Sequence, residues 1–416
     1  MVSRPAETDR IATAWDGAIL ALAGWVIVEG IRVMAMCCPT VPLYDHAVFV
    51  VHMLATPPEL FLRHNEHIPL VPRLVVGLEV LLSEGEPRIP VSMGLFALCG
   101  AAVVASRGWQ SRARLVCAAV LFAAMMRPSL AWSASWVTNI QFSLALFGAA
   151  VAFQASRARR SGLAIFAGLL AGLSSAEGLL VLPLSGWLLW RAGDRRSCAV
   201  ALVGWVVLTA VCSWEGALAL RVPADARAWW SALAFAASVV ADPWSLRLVL
   251  AVAAPLLLGA VAFRFRDGHR ADRVLLALAL YGFGFALLVV LGRWSLGEAH
   301  HRYTLGATVG AAALLGGLLH RDDSSRSSAS GAAGVRRFLL LGLMGLLSVE
   351  SFVLGAPTAQ TCAQAEPPGT AFWRGETNDS SAAHPGMPAE IAQELRAHVW
   401  EAGLYRPRHP PTSRGP

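Results

Sequence analysis

"LVPRLVVGLEVLL", Leu70–Leu82, is the stretch on which the topology turns. It is apolar enough to enter a bilayer. About 13 residues of helix rise only about 20 Å, however, against a hydrocarbon core of about 30 Å. It also carries Arg73 and Glu79. The stretch therefore predicts a helix that lies at a membrane surface or dips into it, rather than a span.

The rest of the chain makes a membrane the right setting. Of 416 residues, 56% are hydrophobic and 15% charged, where a soluble domain carries about 25% charged residues. The apolar residues come in blocks of spanning length, separated by short arginine-rich or proline-rich breaks. A polytopic membrane protein follows. The first block begins near Ala12 and runs past Val33. That is too long for the apolar core of a signal peptide, and no small-residue cleavage site follows it. The net charge is +7 and every basic residue is arginine. The arginines lie between blocks rather than in one patch, which points to membrane topology and away from nucleic acid.

The arginines alternate. Arg107, Arg112 and Arg114 fill one break; Arg157, Arg159 and Arg160 the next but one. Arg191, Arg195 and Arg196 follow, then Arg264, Arg266, Arg270 and Arg273, then Arg321, Arg326, Arg336 and Arg337. The breaks at 128–135, 174–177, 215–243 and 292–302 are poor in arginine. Under the positive-inside rule the first set is cytoplasmic and the second faces out. The alternation predicts eleven spans, at 13–35, 89–106, 115–131, 136–155, 162–174, 177–190, 198–214, 245–263, 274–291, 303–319 and 336–355. The N-terminus is then cytoplasmic and the C-terminus outside. The expected division is a transmembrane domain over 1–355 and an outward, largely irregular tail over 356–416. The tail holds one short helix, "PAEIAQELRAHVWEAGL" at 388–404.

Between the first two spans lies one long outer loop, 36–88, with surface helices near 45–56 and 70–82. "HNEH", His64–His67, falls in the turn between them. His46, His52, His64 and His67 all lie in this loop, with Asp45, Glu59, Glu66, Glu79, Glu84 and Glu86; His300, His301 and Arg302 lie in a later outer loop. The outer face collects the titratable groups.

On these residues the chain resembles bacterial multi-pass membrane glycosyltransferases of the GT-C fold. The long first outer loop with surface helices is the hallmark of that fold. "HNEHIPLVPRL" looks like an N-E-H-R-x-x-x-P-R pattern of an uncharacterised group within it, with Ile68 where that pattern has arginine. "TNIQFSLAL" (138–146), "SSAEGLLVLP" (174–183) and "HRYTLGA" (301–307) look like that group too. The resemblance implies an all-α protein of the bacterial inner membrane. It would move a sugar from a polyprenyl-phosphate donor to a lipid, glycan or protein acceptor at the outer face. Asp45 would be the catalytic acidic residue after the first span, with Glu66 as a second candidate. Arg302 would meet the carrier phosphate with its planar fork of donors, and Arg73 is the alternative. His46, His64, Asn65, His67, Asn139, Gln141, Glu177 and His301 complete the expected substrate-binding set.

Each residue also has a plainer reading. Asp45 suits an N-cap. Glu66 and its histidines suit a wet loop, and Arg302 the interface at the start of a span. Asn139 and Gln141 suit interhelical hydrogen bonding. Glu177 suits the positive end of a helix. Glu29 and Arg32, three apart inside the first span, suit an intrahelical pair. No metal or other cofactor is required. "HNEH" lacks a third zinc ligand. "EGE" at 84–86 resembles a paired-acid spacing for a divalent metal, with glutamate at both positions. Cys362 could bridge to Cys37 or Cys38 outside the membrane. The rival classes are a transporter or flippase, which should carry mid-membrane charges and paired broken helices, and a non-catalytic assembly protein.

Overall fold

The computed structural model describes residues 5–38, 44–62, 68–83, 87–107, 111–134, 139–213, 223–241, 270–293, 304–319, 330–374, 377, 389–401 and 404. It is all-helical; no strand occurs among the described residues. In chain order the helices are α1 (Pro5–Cys37), α2 (Tyr44–Leu54), α3 (Leu70–Ser83), α4 (Arg88–Ala105), α5 (Ser111–Met125) and α6 (Pro128–Ala134). Then come α7 (Ile140–Arg157), α8 (Ser161–Gly172), a 3-10 turn at Ala176–Leu180, α9 (Val181–Arg191), α10 (Arg195–Ser213) and α11 (Ala226–Ala241). The last four are α12 (Arg270–Arg293), α13 (Thr304–Leu319), α14 (Ser330–Trp373) and α15 (Ala389–Glu401).

Among the described residues, five helices are long and apolar enough to cross a bilayer: Thr13–Cys37, Arg88–Ala105, Arg195–Cys212, Arg273–Arg293 and Leu340–Gln360. Large apolar side chains on several of them are exposed, among them Phe96, Val203, Val206 and Phe352. An exposed apolar belt of this extent fits lipid and not water.

The eleven expected spans do not all appear as single full-length helices. The expected span 115–131 is broken: α5 ends at Met125 and α6 restarts at Pro128. Proline restricts the residue before it away from helical geometry and has no N–H to continue the ladder. The expected spans 162–174 and 177–190 are α8 and α9, of 12 and 11 residues. At 1.5 Å per residue they rise about 18 and 17 Å, short of the hydrocarbon thickness. The expected span 245–263 lies outside the described residues. The outer break 215–243 holds a helix of its own, α11, whose Trp229 and Trp230 are exposed.

Pairwise contacts fix the directions. α1 and α14 run parallel, since Asp16 meets Arg337 while Glu29 packs against Gly355. α4 and α7 also run parallel: Gly94 faces Ile140, Gly100 faces Phe147, and Gln154 Nε2 donates to the Ala105 carbonyl at 3.0 Å. α12 and α13 cross antiparallel at bare backbone, with Gly282 against Gly306 and Gly310. Small residues at such a crossing let two apolar helices approach closely. Among the described residues, Arg107, Arg157, Arg159, Arg160, Arg191, Arg195, Arg196, Arg273 and Arg337 therefore fall toward one end of the bundle. The ends of α1 and α5, the starts of α4, α7 and α13, and the α8–α9 turn gather at the other.

The C-terminal region is not the irregular tail expected from its composition. α14 has no break at 356 and runs 44 residues to Trp373. That is about 66 Å, twice the hydrocarbon thickness. Phe372 and Trp373 are fully buried, and α15 packs back on α2 through Ala392, Leu395 and Val399. Arg396 donates to the carbonyls of Phe372 and Thr377, both at 3.0 Å, and lies 4.3 Å over the Phe372 ring. Trp400 Nε1 donates to the Trp373 carbonyl. Arg396→Ala removes both charged hydrogen bonds and should loosen α15 by about 1–3 kcal/mol. Hydrogen exchange should rise over 389–401 and stay unchanged over 340–360.

Candidate functional site

The site grows from the α2–α3 hairpin. The two helices pack antiparallel in one register, so that His46 meets Glu79 and His52 meets Arg73. His46 Nε2 lies 2.9 Å from Glu79 Oε2 and 2.8 Å from Oε1, and both side chains are almost fully buried. With Glu79 as a carboxylate, which only accepts, Nε2 is the donor of this pair and the Nδ1 lone pair is open. That Nδ1 is buried and has no hydrogen-bond partner among the described residues. A carboxylate behind an imidazole fixes its tautomer and ring orientation. Chemically, the pair offers Nδ1 as a buried hydrogen-bonding atom.

Arg73 ties the turn after α2 to α3. Its Nη1 donates to the carbonyls of Leu60 and Leu62, Nη2 lies 3.3 Å from His52 Nδ1, and the guanidinium sits 5.4 Å over Phe49. Burial pushes its pKa down to about 10, with the Glu59 carboxylate acting the other way. Four contacts hold the turn after α2 against α3. Arg73 is thus an anchor of the hairpin, and its buried Nε has no hydrogen-bond partner among the described residues.

α3 in turn touches the α8–α9 turn: the Val71 amide donates to the Leu173 carbonyl at 3.2 Å. Ser174, Ser175 and Glu177 are buried there, and Ser175 Oγ donates to the Glu177 carboxylate. Glu177 is therefore not at the first turn of a full span, as expected, but in a 3-10 turn between two short helices. Gly178 is required at this turn, because a Cβ would lie 1.9 Å from the Ala171 carbonyl oxygen. Asn139 and Gln141, at the start of α7, are buried at the same end.

A second buried cluster escaped the sequence reading. Arg127 Nη2 donates to Thr304 Oγ1 at 2.5 Å, and Nη1 lies 3.7 Å from Glu350 Oε2. Ser129 Oγ donates to the other Glu350 oxygen at 3.0 Å. The cluster ties the α5–α6 break to the start of α13 and the middle of α14. Its members lie 177 and 221 residues apart in sequence, so no local pattern joins them. The one usable signal was Arg127 itself, a lone charge inside the expected span 115–131. Nearby, Glu29 and Arg32 form the intrahelical pair expected of them, with Arg32 Nε 2.9 Å from Glu29 Oε2. Cys37, at the end of α1, is disulfide-bonded.

The structure thus brings His46, Arg73, Asn139, Gln141 and Glu177 to one end of the bundle, and adds Glu79, Arg127 and Glu350. Glu66, His64, Asn65, His67, His301 and Arg302 lie outside the described residues, as do Glu84 and Glu86. So does the side chain of Asp45, whose backbone is in the first turn of α2. No group of three or more metal-ligating side chains occurs among the described residues. No protein family, curated protein or solved structure matches the chain.

Proposed function

We propose that this chain is a glycosyltransferase of GT-C type in a bacterial inner membrane, moving a sugar from a polyprenyl-phosphate donor to an acceptor at the outer face. The observation that carries the reading is the segregation of buried polar groups. The buried charged side chains and His46 gather toward one end of the bundle, beside a hairpin too short to span, with Glu350 in the middle of α14. Such an arrangement suits chemistry on a substrate held at a membrane face. In this reading the arginine-rich end is cytoplasmic. The disulfide at Cys37 then faces an oxidising compartment, which fits. The chain would pass the membrane about eleven times, counting its broken segments, with its N-terminus inside and C-terminus outside.

The transfer needs a base, a nucleophile and a place for a leaving phosphate. The acceptor O–H gives its proton to Asp45, next to His46 at the start of α2, with Glu66 as the other candidate base. The acceptor oxygen bonds to the anomeric carbon as the bond from that carbon to the carrier phosphate oxygen breaks. The electron pair leaves on the phosphate, whose charge Arg302 meets, and the anomeric centre inverts. Asn139, Gln141 and Glu177, with His64, Asn65, His67 and His301, are the hydrogen-bonding groups offered to sugar and acceptor.

One observation favours a transporter or flippase instead: α8 and α9 form a broken hairpin with Glu177 buried at its tip, and broken helices are how transporters build ion and substrate sites. The described residues hold one such hairpin, not a related pair.

Native mass spectrometry of protein extracted gently from its own membranes separates the readings. Wild type should carry a polyprenyl phosphate or its sugar ester. Arg302→Ala should lose it, and Asp45→Asn should keep it. Bulk phospholipid alone in all three preparations moves the transporter and assembly readings ahead.

A further inference from the structure

α3 is amphipathic in the wrong sense for water. Pro72, Arg73, Val75, Val76, Gly77 and Glu79 are buried, and Arg73 and Glu79 have no exposed surface at all. The opposite face exposes Leu74, Leu78, Leu81 and Leu82, the last two at 80% and 72%. These four fall at i, i+4, i+7 and i+8, one continuous helical stripe. A helix facing water turns this pattern round, with charges out and leucines in. A helix facing hydrocarbon has to bury its charges against protein, because nothing outside can solvate them.

We propose that the leucine stripe of α3 docks the hydrocarbon chains of the membrane lipid, so that α3 is an intramembrane half-helix rather than a helix on the water-facing surface. Three observations bear on the occupant. The 14 residues of α3 rise about 21 Å, enough to reach through one leaflet and not both. α3 leads within five residues into α4, a span-length helix whose Phe96 is 74% exposed, so the stripe adjoins a face that also meets lipid. The Arg73 bonds to the Leu60 and Leu62 carbonyls hold the preceding turn so that Phe61 stands out at 69% exposure on the same hairpin. The buried His46–Glu79 pair then lies one helix width from lipid. A lipid-borne substrate can come to it sideways from the leaflet, not only from the water above. The inference stands on burial alone and does not need the transferase reading.

Photo-crosslinking tests it on the full chain in a lipid bilayer. Benzoylphenylalanine is placed singly at positions 81 and 82. Position 203 on α10 serves as a spanning control, and position 394 on the exposed face of α15 as an aqueous one. Each variant is reconstituted in liposomes of phosphatidylcholine and phosphatidylglycerol, irradiated, and read by mass spectrometry of the labelled peptide. Phospholipid adducts at 81 and 82 should match those at 203 and be lost at 394. Adducts at 203 with none at 81 or 82 overturn the proposal. So does crosslinking of 81 or 82 to a second copy or to another segment of the chain. Leu81→Lys is the second arm. It should lose folded protein from the membrane fraction, whereas a surface helix in water would accept the lysine and keep the wild-type yield.

Discussion

Gly282→Leu should unfold the crossing of α12 and α13, with a large loss of stability. A Cβ at 282 would lie 2.3 Å from the Gly306 carbonyl oxygen and 2.7 Å from the Gly310 amide nitrogen. Those are backbone atoms, so no rotamer change relieves the clash and the helices must separate. Overpacking of this kind costs about 1–3 kcal/mol where a core can adjust, and a backbone crossing adjusts least. Separation also gives up the close packing on which helix association in lipid depends. Gly342→Leu is the control, since nothing lies within 4 Å of a Cβ there. Melting temperatures in detergent should fall sharply for Gly282→Leu and hold for Gly342→Leu. Equal melting of the two would show that the crossing is looser than the glycine contacts require.

Removing one partner of the Arg127–Glu350 pair should be the second large effect. Both side chains are more than nine-tenths buried. Glu350→Gln leaves the guanidinium of Arg127 without its counter-charge in a low-dielectric interior, and such half-pairs typically cost about 3–5 kcal/mol. The double variant Arg127→Met with Glu350→Leu removes both charges and should recover most of the loss. The experiment is a four-corner cycle of unfolding midpoints. A double variant as unstable as the two single losses added together would mean that the pair is not coupled. Thr304 adds a functional reading of the same variants. Arg127 holds the start of α13 through Thr304 Oγ1, so Arg127→Met should also loosen the end of the bundle where the candidate site lies.

Some elements were legible because the signal was local. The apolar run 70–82 and the "YDHAVFVVHML" run give helices α3 and α2 close to the expected ranges. The pairing of Glu29 with Arg32 follows from their spacing on one helix face. The break inside 115–131 was available in principle, because Pro128 follows an arginine. Hydropathy alone joined the two halves, since both are apolar. α14 misled for the opposite reason. Pro357, Pro367 and Pro368 and a polar stretch argue against a helix, since proline in a helix interior costs about 3 kcal/mol. Docking of its far end, where Phe372 and Trp373 are fully buried under α15, offsets that preference.

The amino-acid sequence by itself determined the solvent of this protein. Its apolar blocks, sparse charge and alternating arginines make a bundle of helices in a membrane, because the backbone must satisfy itself where water is absent. Tertiary structure alone decided which way each helix faces. Leu81 and Arg73 belong to one 14-residue helix, and only packing against α2 and the turn before it says that the arginine goes in and the leucine out. It also decided the partners of the buried charges. His46 and Glu79 are 33 residues apart and Ser129 and Glu350 are 221 apart. Pairing across such distances is set by where whole helices cross, and no spacing along the chain encodes it.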